Sequence, residues 1–368
     1  MDAIHSVNKL QVFFREQLVG TLARTLDNTR CTFAYAPEWL SNGFSISPLE
    51  LPLRKDMFIA ETTPFYGNFG IFEDSLPDGY GRYLLNRLLH KHGIDDMSLS
   101  PLQRLAIVGS SGMGALRYVP QILPTEEYIL PELNTLQKMA LDVLSERTLE
   151  GVDTLYHSSG NSGGCRPKCL YKDEEGQWLV KFRHTYDPLD MGEKEYRFNL
   201  LARECGIDVP AFKLLNGKYF ASKRFDISPQ GHPLHVATAA ALLRENINPP
   251  KTDYKVLLAL TGFITQSPAA VEQMLRRMVY NILIDNKDDH AKNFSFIYQD
   301  NHWQLAPAYD LTRCAQGYNS EHATSVMGNG NPTEDDMIAA AESIHITRER
   351  AREIIQEIKG KVLSSNLP

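Results

Sequence analysis

Asp288-Asp289-His290-Ala291-Lys292-Asn293 is the stretch on which the fold turns. It follows an apolar run ending Ile282-Leu283-Ile284, so a polar loop is expected at the end of a helix. Within it, Asp288 and Asn293 stand in the order Asp-x-x-x-x-Asn. That is the spacing of a kinase catalytic loop, where the Asp accepts the proton of an attacking hydroxyl and the Asn helps hold magnesium. Asp and Asn are also common in solvated loops, and the spacing alone leaves that plainer reading open.

Further along the chain, Ala306-Pro307-Ala308-Tyr309-Asp310-Leu311 reads as a strand end carrying a carboxylate. A kinase keeps its principal metal ligand in such a place. Asn293 and Asp310 are therefore candidate ligands for Mg²⁺, a hard cation that takes oxygen donors and the phosphates of ATP. Towards the N-terminus, Ser158-Ser159-Gly160-Asn161-Ser162-Gly163-Gly164 is a Gly/Ser-rich run. Its glycines would permit close approach to phosphates, and its free N–H groups would bind them. It is not a Walker loop, because no Gly-Lys-Ser/Thr follows, and a plain linker is the competing reading. Lys181 lies inside the apolar strand Trp178-Leu179-Val180-Lys181-Phe182, where a lysine is costly unless it meets a charge. Glu195, on the helix that follows, or ATP phosphates would supply one. Glycine loop, strand lysine, helix glutamate, Asp-x4-Asn and Asp is the order of parts in a protein kinase.

The rest of the chain frames these parts. Leu10–Phe14 and Leu18–Leu22 predict a hairpin, Thr32–Tyr35 a strand, and Arg82–His92 a helix stopped by Gly93. Pro120 to Pro131 reads as a connector and Glu132–Leu149 as helical. Lys168–Tyr171 and Trp178–Phe182 predict paired strands, and Glu193–Cys205 a helix capped by Gly206. Val209–Leu215 and Lys218–Phe225 predict a second hairpin. From about 234 the signal is mainly helical, clearest in Val271–Ile284 and Arg348–Val362. The fold class expected is α+β, a two-lobed protein-kinase-like fold. It would carry an extra β-rich N-terminal subdomain (1–125), a kinase N-lobe (126–226) and a mainly helical C-terminal lobe (227–368).

With 368 residues, 43% hydrophobic and 23% charged, there is ample material for a core. The net charge of -7 argues against direct duplex binding, which rests on phosphate neutralisation. The five cysteines form no CxxC pair, so reduced thiols in a cytoplasmic protein are expected. No signal peptide and no membrane span are expected.

The same residues carry a resemblance over nearly the whole chain. Ser75-Leu76-Pro77-Asp78-Gly79, Gly112-Met113-Gly114-Ala115-Leu116, Gly164-Cys165-Arg166-Pro167-Lys168, Lys223-Arg224-Phe225-Asp226, His290-Ala291-Lys292-Asn293-Phe294-Ser295 and Tyr309-Asp310-Leu311 resemble HipA, the serine/threonine kinase toxin of bacterial HipA–HipB toxin–antitoxin modules. The resemblance implies that Asp288 is the catalytic base, Asn293 and Asp310 the magnesium ligands, and Lys181 the ATP-phosphate lysine. It makes Lys223, Arg224 and Phe225 the hinge that meets adenine through backbone groups. His290 would orient the base, beside the alternative of loop packing, and Lys292 would contact phosphate or remain a solvated loop lysine. Family kinases carry an autophosphorylated serine ahead of the loop glycines. Here Asn161 holds that position, and Ser162 is the candidate instead. The implied partners are a HipB-like helix-turn-helix antitoxin, with DNA reached only through it, and a protein substrate such as an aminoacyl-tRNA synthetase. A small-molecule phosphotransferase and a non-catalytic scaffold for a DNA-bound antitoxin are the alternatives.

Overall fold

The structure is a computed structural model, and it describes residues 4, 6–112, 114–123, 129–160, 163–365 and 367. The chain divides into two compact units, Met1–Gly192 with Leu214–His235, and Glu193–Lys213 with Val236–Pro368. It is mixed α and β, and the strand pairs of its registered ladders are antiparallel. No helix among the described residues is long and apolar enough to cross a membrane.

In the first unit a five-stranded sheet has the order β4-β3-β2-β1-β5. Its strands are β1 (Lys9–Phe14), β2 (Gln17–Arg24), β3 (Cys31–Tyr35), β4 (Met57–Ile59) and β5 (Leu116–Val119). The period-2 pattern explains β1, where Leu10 and Val12 are buried while Lys9 and Gln11 face out. The turn to β2 runs through Arg15 in the left-handed region. Pro101–Val108 is a helix because Ser100 and Gln103 form a capping box and Pro101 opens its first turn.

A four-stranded sheet follows in the order β6-β7-β9-β8, with β6 Lys168–Asp173, β7 Gly176–Lys181, β8 Phe212–Leu215 and β9 Tyr219–Lys223. One apolar cluster joins it to the N-terminal region. Leu84, Leu85, Leu88 and Leu89 of the helix Gly79–Lys91 are buried with Leu136, Val143, Leu155, Trp178 and Val180. Two details differ from the sequence reading. The helix expected over 132–149 ends at Leu144, with Glu146 in the left-handed region, and a second helix, Val152–Ser159, starts after Gly151. That helix absorbs Ser158 and Ser159, both buried, so the glycine-rich loop begins only at Gly160.

The second unit is built on the helices Tyr254–Thr265, Pro268–Leu283 and Arg348–Ser364. Ser267 and Thr347 cap the last two with their side-chain oxygens. Their shared core includes Leu257, Met274, Leu275, Met278, Ile354, Ile355 and Ile358. The mainly helical expectation missed a three-stranded sheet of β10 (His235–Thr238), β11 (Ser295–Gln299) and β12 (His302–Leu305). Its β11–β12 turn is Asp300-Asn301, both with positive φ, as a tight hairpin requires. β12 stops at Leu305, so Asp310 stands beyond the strand rather than at its end.

Candidate functional site

The acidic loop of the second unit is assembled in steps. After the helix Pro268–Leu283, Asp285 turns the chain with φ 58°. Asn286 then forms an isolated parallel bridge with Cys314. The Lys287 N–H donates to the Cys314 carbonyl at 2.9 Å, and the Cys314 N–H donates to the Asp285 carbonyl at 3.1 Å. Asn286 Nδ2 donates to the Asp310 carbonyl at 3.2 Å and to Asn281 Oδ1 at 3.0 Å. Asp310 itself is left-handed, with φ 55°. Segments far apart in sequence, 285–293 and 310–314, are thereby stitched together by backbone bonds and one buried amide.

Asp288 and Asp289 are neighbours with opposite fates. The Asp288 side chain is 67% exposed, and His290 Nε2 lies 3.8 Å from its Oδ1. Asn293 Nδ2 donates to the Asp288 carbonyl at 2.8 Å. That bond leaves Oδ1 as the atom of the amide that can ligate a cation. Tyr309 Oη donates to the Lys292 carbonyl at 2.7 Å and pairs with Ser295 Oγ at 2.6 Å, bracing the loop from behind. Asp289 is fully buried. Tyr254 Oη donates to its Oδ2 at 2.8 Å, His322 Nδ1 stands 3.1 Å from the same oxygen, and the Thr324 N–H donates to Oδ1 at 3.2 Å. Thr324 Oγ1 donates to its carbonyl, and Asn281 Nδ2 donates to Tyr254 Oη at 3.0 Å. Burial, and then the Asp289 charge, push the Tyr254 phenol well above its ordinary range. Asp289 is an anchor rather than a solvated loop residue.

Asn293 and Asp310 offer oxygen donors of the kind Mg²⁺ prefers, and two such ligands leave room for phosphate and water. Among the described residues no group of three or more His, Cys, Asp and Glu gathers to hold a metal by itself. His290 Nδ1 is buried without a hydrogen-bond partner among the described residues. Glu195 is buried on the helix Met191–Glu204, where its carbonyl accepts from Asn199 Nδ2 at 2.9 Å.

The first unit holds the other expected residues. Lys181 on β7 is half-buried, its ammonium 5.9 Å from the Phe220 ring centre. Directly across the ladder from it stands Lys168 on β6, which is buried. The two lysines are thus cross-strand neighbours on one face of the sheet. The sequence reading gave Lys168 no role; the register of the two strands supplies the missing signal. Lys168 Nζ donates to the Gly163 carbonyl, and the Gly164 N–H donates to Asp78 Oδ1 at 2.9 Å. Asn161 and Ser162, including the autophosphorylation candidate, lie outside the described residues.

At the expected hinge, Lys223 ends β9 with its side chain exposed, 6.0 Å from the Trp178 ring. The Arg224 guanidinium is bidentate on Asp226, at 2.9 and 2.6 Å, so its side chain is turned away from solvent. Its N–H donates to the Gln177 carbonyl at 2.9 Å. That N–H is therefore already committed to the neighbouring strand.

This geometry has clear counterparts. The HipA-like C-terminal domain family matches residues 160–365, and the HipA N-terminal domain family matches residues 10–119. HipA of Shewanella oneidensis MR-1, solved with HipB and operator DNA as a toxin–antitoxin complex, superposes with a TM-score of 0.72 at 18% identity. The match covers 96% of this chain and 88% of that one. "Putative kinase Y4dM" of Sinorhizobium fredii is 33% identical over 156 residues, 37% of each chain. A "Putative kinase" of Haemophilus influenzae is 31% identical over 175 residues, 40% of this chain and 51% of that protein. "Putative kinase Y4mE" of Sinorhizobium fredii is 27% identical over 343 residues, 83% of this chain and 77% of that one. The first two alignments thus span about a third and a half of those relatives' lengths.

The protein is α+β, with the kinase-like fold of HipA. More closely, the chain belongs to the HipA family and carries both of its domains.

Proposed function

We propose that this chain is an ATP-dependent serine/threonine protein kinase acting as the toxin of a toxin–antitoxin pair. The observation that carries the reading is the pair of neighbouring aspartates. Asp288 is held exposed beside Asn293 and tied through Asn286 to Asp310, while Asp289 is buried to fix the loop. In this reading Asp288 accepts the proton of a serine or threonine hydroxyl as its oxygen forms a bond to the γ-phosphorus of ATP. The bond from that phosphorus to the β-phosphate oxygen breaks, releasing ADP. Asn293 Oδ1 and the Asp310 carboxylate would hold Mg²⁺, which when bound offsets charge on the phosphates. Lys168 and Lys181 supply positive charge in the first unit. His290 orients Asp288, and Lys292 is a candidate phosphate contact.

The solved relative's assembly with HipB and operator DNA supports a HipB-like antitoxin as partner, with DNA reached through it. The family resemblance supports an aminoacyl-tRNA synthetase as substrate and a cytoplasmic site of action. Autophosphorylation at Ser162 remains part of the same proposal.

A cell lysate incubated with the purified chain, Mg²⁺ and γ-labelled ATP tests it. A labelled protein band at serine or threonine, absent with Asp288→Ala, is the expected result. Label confined to small molecules would replace the protein kinase with a small-molecule phosphotransferase. No transfer, with antitoxin binding retained, would leave a scaffold.

A further inference from the structure

The motif Ser75-Leu76-Pro77-Asp78-Gly79 has no part in the chemistry described above, yet it ends on the glycine-rich segment. Asp78 is the N-cap residue of the helix Gly79–Lys91, the place where an Asp side chain usually accepts from the first turn. Its side chain makes no capping bond there. Oδ1 instead accepts from the Gly164 N–H at 2.9 Å, across 86 positions of sequence. The Tyr80 N–H donates to the Gly164 carbonyl at 3.0 Å, so both backbone groups of Gly164 are held by the start of one helix.

The approach is close. A Cβ on Gly79, whose φ is +47°, would stand 2.4 Å from the Gly164 carbonyl oxygen. Only glycine allows that backbone to dock there. Lys168 Nζ holds the preceding Gly163 carbonyl from the other side.

A second N-terminal motif makes a parallel connection. The Gly114 N–H donates to Asp226 Oδ2 at 3.2 Å, the carboxylate that also takes Arg224 of the expected hinge. The strand that continues from the second motif, β5, is bonded to the first, because Ser75 Oγ and the buried Tyr118 Oη are hydrogen-bonded at 2.6 Å.

We propose that Asp78 is a positioning residue for phosphoryl transfer, clamping Gly163-Gly164 in the shape that receives nucleotide phosphate. The proposal rests on the kinase reading. It assigns the N-terminal domain a share in nucleotide binding through structure, without contact to the reacting atoms. A loop already fixed loses less freedom when ATP binds, so the clamp acts on affinity rather than on the chemical step.

Two variants read the clamp. Asp78→Ala removes the acceptor, and Asp78→Asn keeps an oxygen in its place. The Gly164 amide, followed by hydrogen exchange without nucleotide, is expected to exchange about tenfold faster in Asp78→Ala. It should stay within about threefold of wild type in Asp78→Asn. With ATP and Mg²⁺, Asp78→Ala should raise KM about tenfold and leave kcat within about threefold, while Asp78→Asn restores KM. Unchanged Gly164 exchange in Asp78→Ala overturns the clamp, whatever the chain binds. Tighter ATP binding in Asp78→Ala overturns it too, by making the carboxylate a competitor of phosphate. If exchange depends on Asp78 but the wild-type chain binds no ATP, the kinase reading falls, and the nucleotide role of Asp78 with it.

Discussion

The acidic loop of the second unit and the glycine-rich segment of the first are anchored in different ways. Around 285–293 the anchor is a buried carboxylate. The Asp289 carboxylate is met by Tyr254 Oη, His322 Nδ1 and the Thr324 N–H, and a chain of amides leads on to Asp310. Gly163-Gly164 is held instead at its own backbone groups, by the Asp78 and Lys168 side chains and the Tyr80 N–H, with Gly163 exposed and Gly164 half-buried. Under the proposed kinase reading the difference matches what each region would have to do. A base and metal ligands must keep fixed mutual positions, which a satisfied low-dielectric network provides. A phosphate loop must let a ligand approach its backbone, which a buried network would prevent.

The largest break of this contrast is Asp289→Ala. It leaves the Tyr254 hydroxyl, the Thr324 N–H and His322 buried without their acceptor. The expected cost is about 3–5 kcal/mol of stability. Thermal unfolding should show Tm lower by on the order of 10 °C. A Tm within about 2 °C of wild type would show that the carboxylate is no anchor.

A smaller effect comes from another buried polar group, His235, at the start of β10. Burial holds it at about 4, below the ordinary 6.5, and its Nε2 donates to the Ile46 carbonyl at 2.7 Å. Above pH 6.5 the ring is neutral both folded and unfolded, and it contributes no pH dependence. As pH falls from 6.5 to about 4 the unfolded chain takes up a proton that the fold refuses, so stability declines. The loss amounts to about 3 kcal/mol. Urea midpoints measured across that window should fall more steeply for wild type than for His235→Gln. Parallel curves would remove the histidine from the account.

The sequence exposes what is local. The spacing from Asp288 to Asn293 sits within one loop, and Lys181 is recognisable inside its apolar strand. The helices Pro268–Leu283 and Arg348–Ser364 follow from periodicity and caps close to where they were expected. Non-local facts stay hidden. The spacing to Asn293 singles out Asp288, but nothing in the run of residues says that Asp289 is buried, because its partners arrive from 254 and from 322–324. Lys168 gains its meaning only when the ladder sets it opposite Lys181. Asp78 looks like an ordinary helix cap until Gly164 is seen against it. The hairpin Ser295–Leu305 was obscured by the helical signal on both sides, although Asp300-Asn301 was a turn signal in plain view.

The division of labour between the two aspartates is the centre of the account, and phosphoryl transfer measures it directly. Purified wild type and Asp288→Asn, each with γ-labelled ATP, Mg²⁺ and a protein acceptor recovered from the lysate labelling, should differ in rate by at least about a thousandfold. Their Tm values should agree within about 2 °C, because the Asp288 side chain is 67% exposed. A variant that unfolds early, or one that transfers phosphate at the wild-type rate, would contradict the assignment of Asp288 as the base.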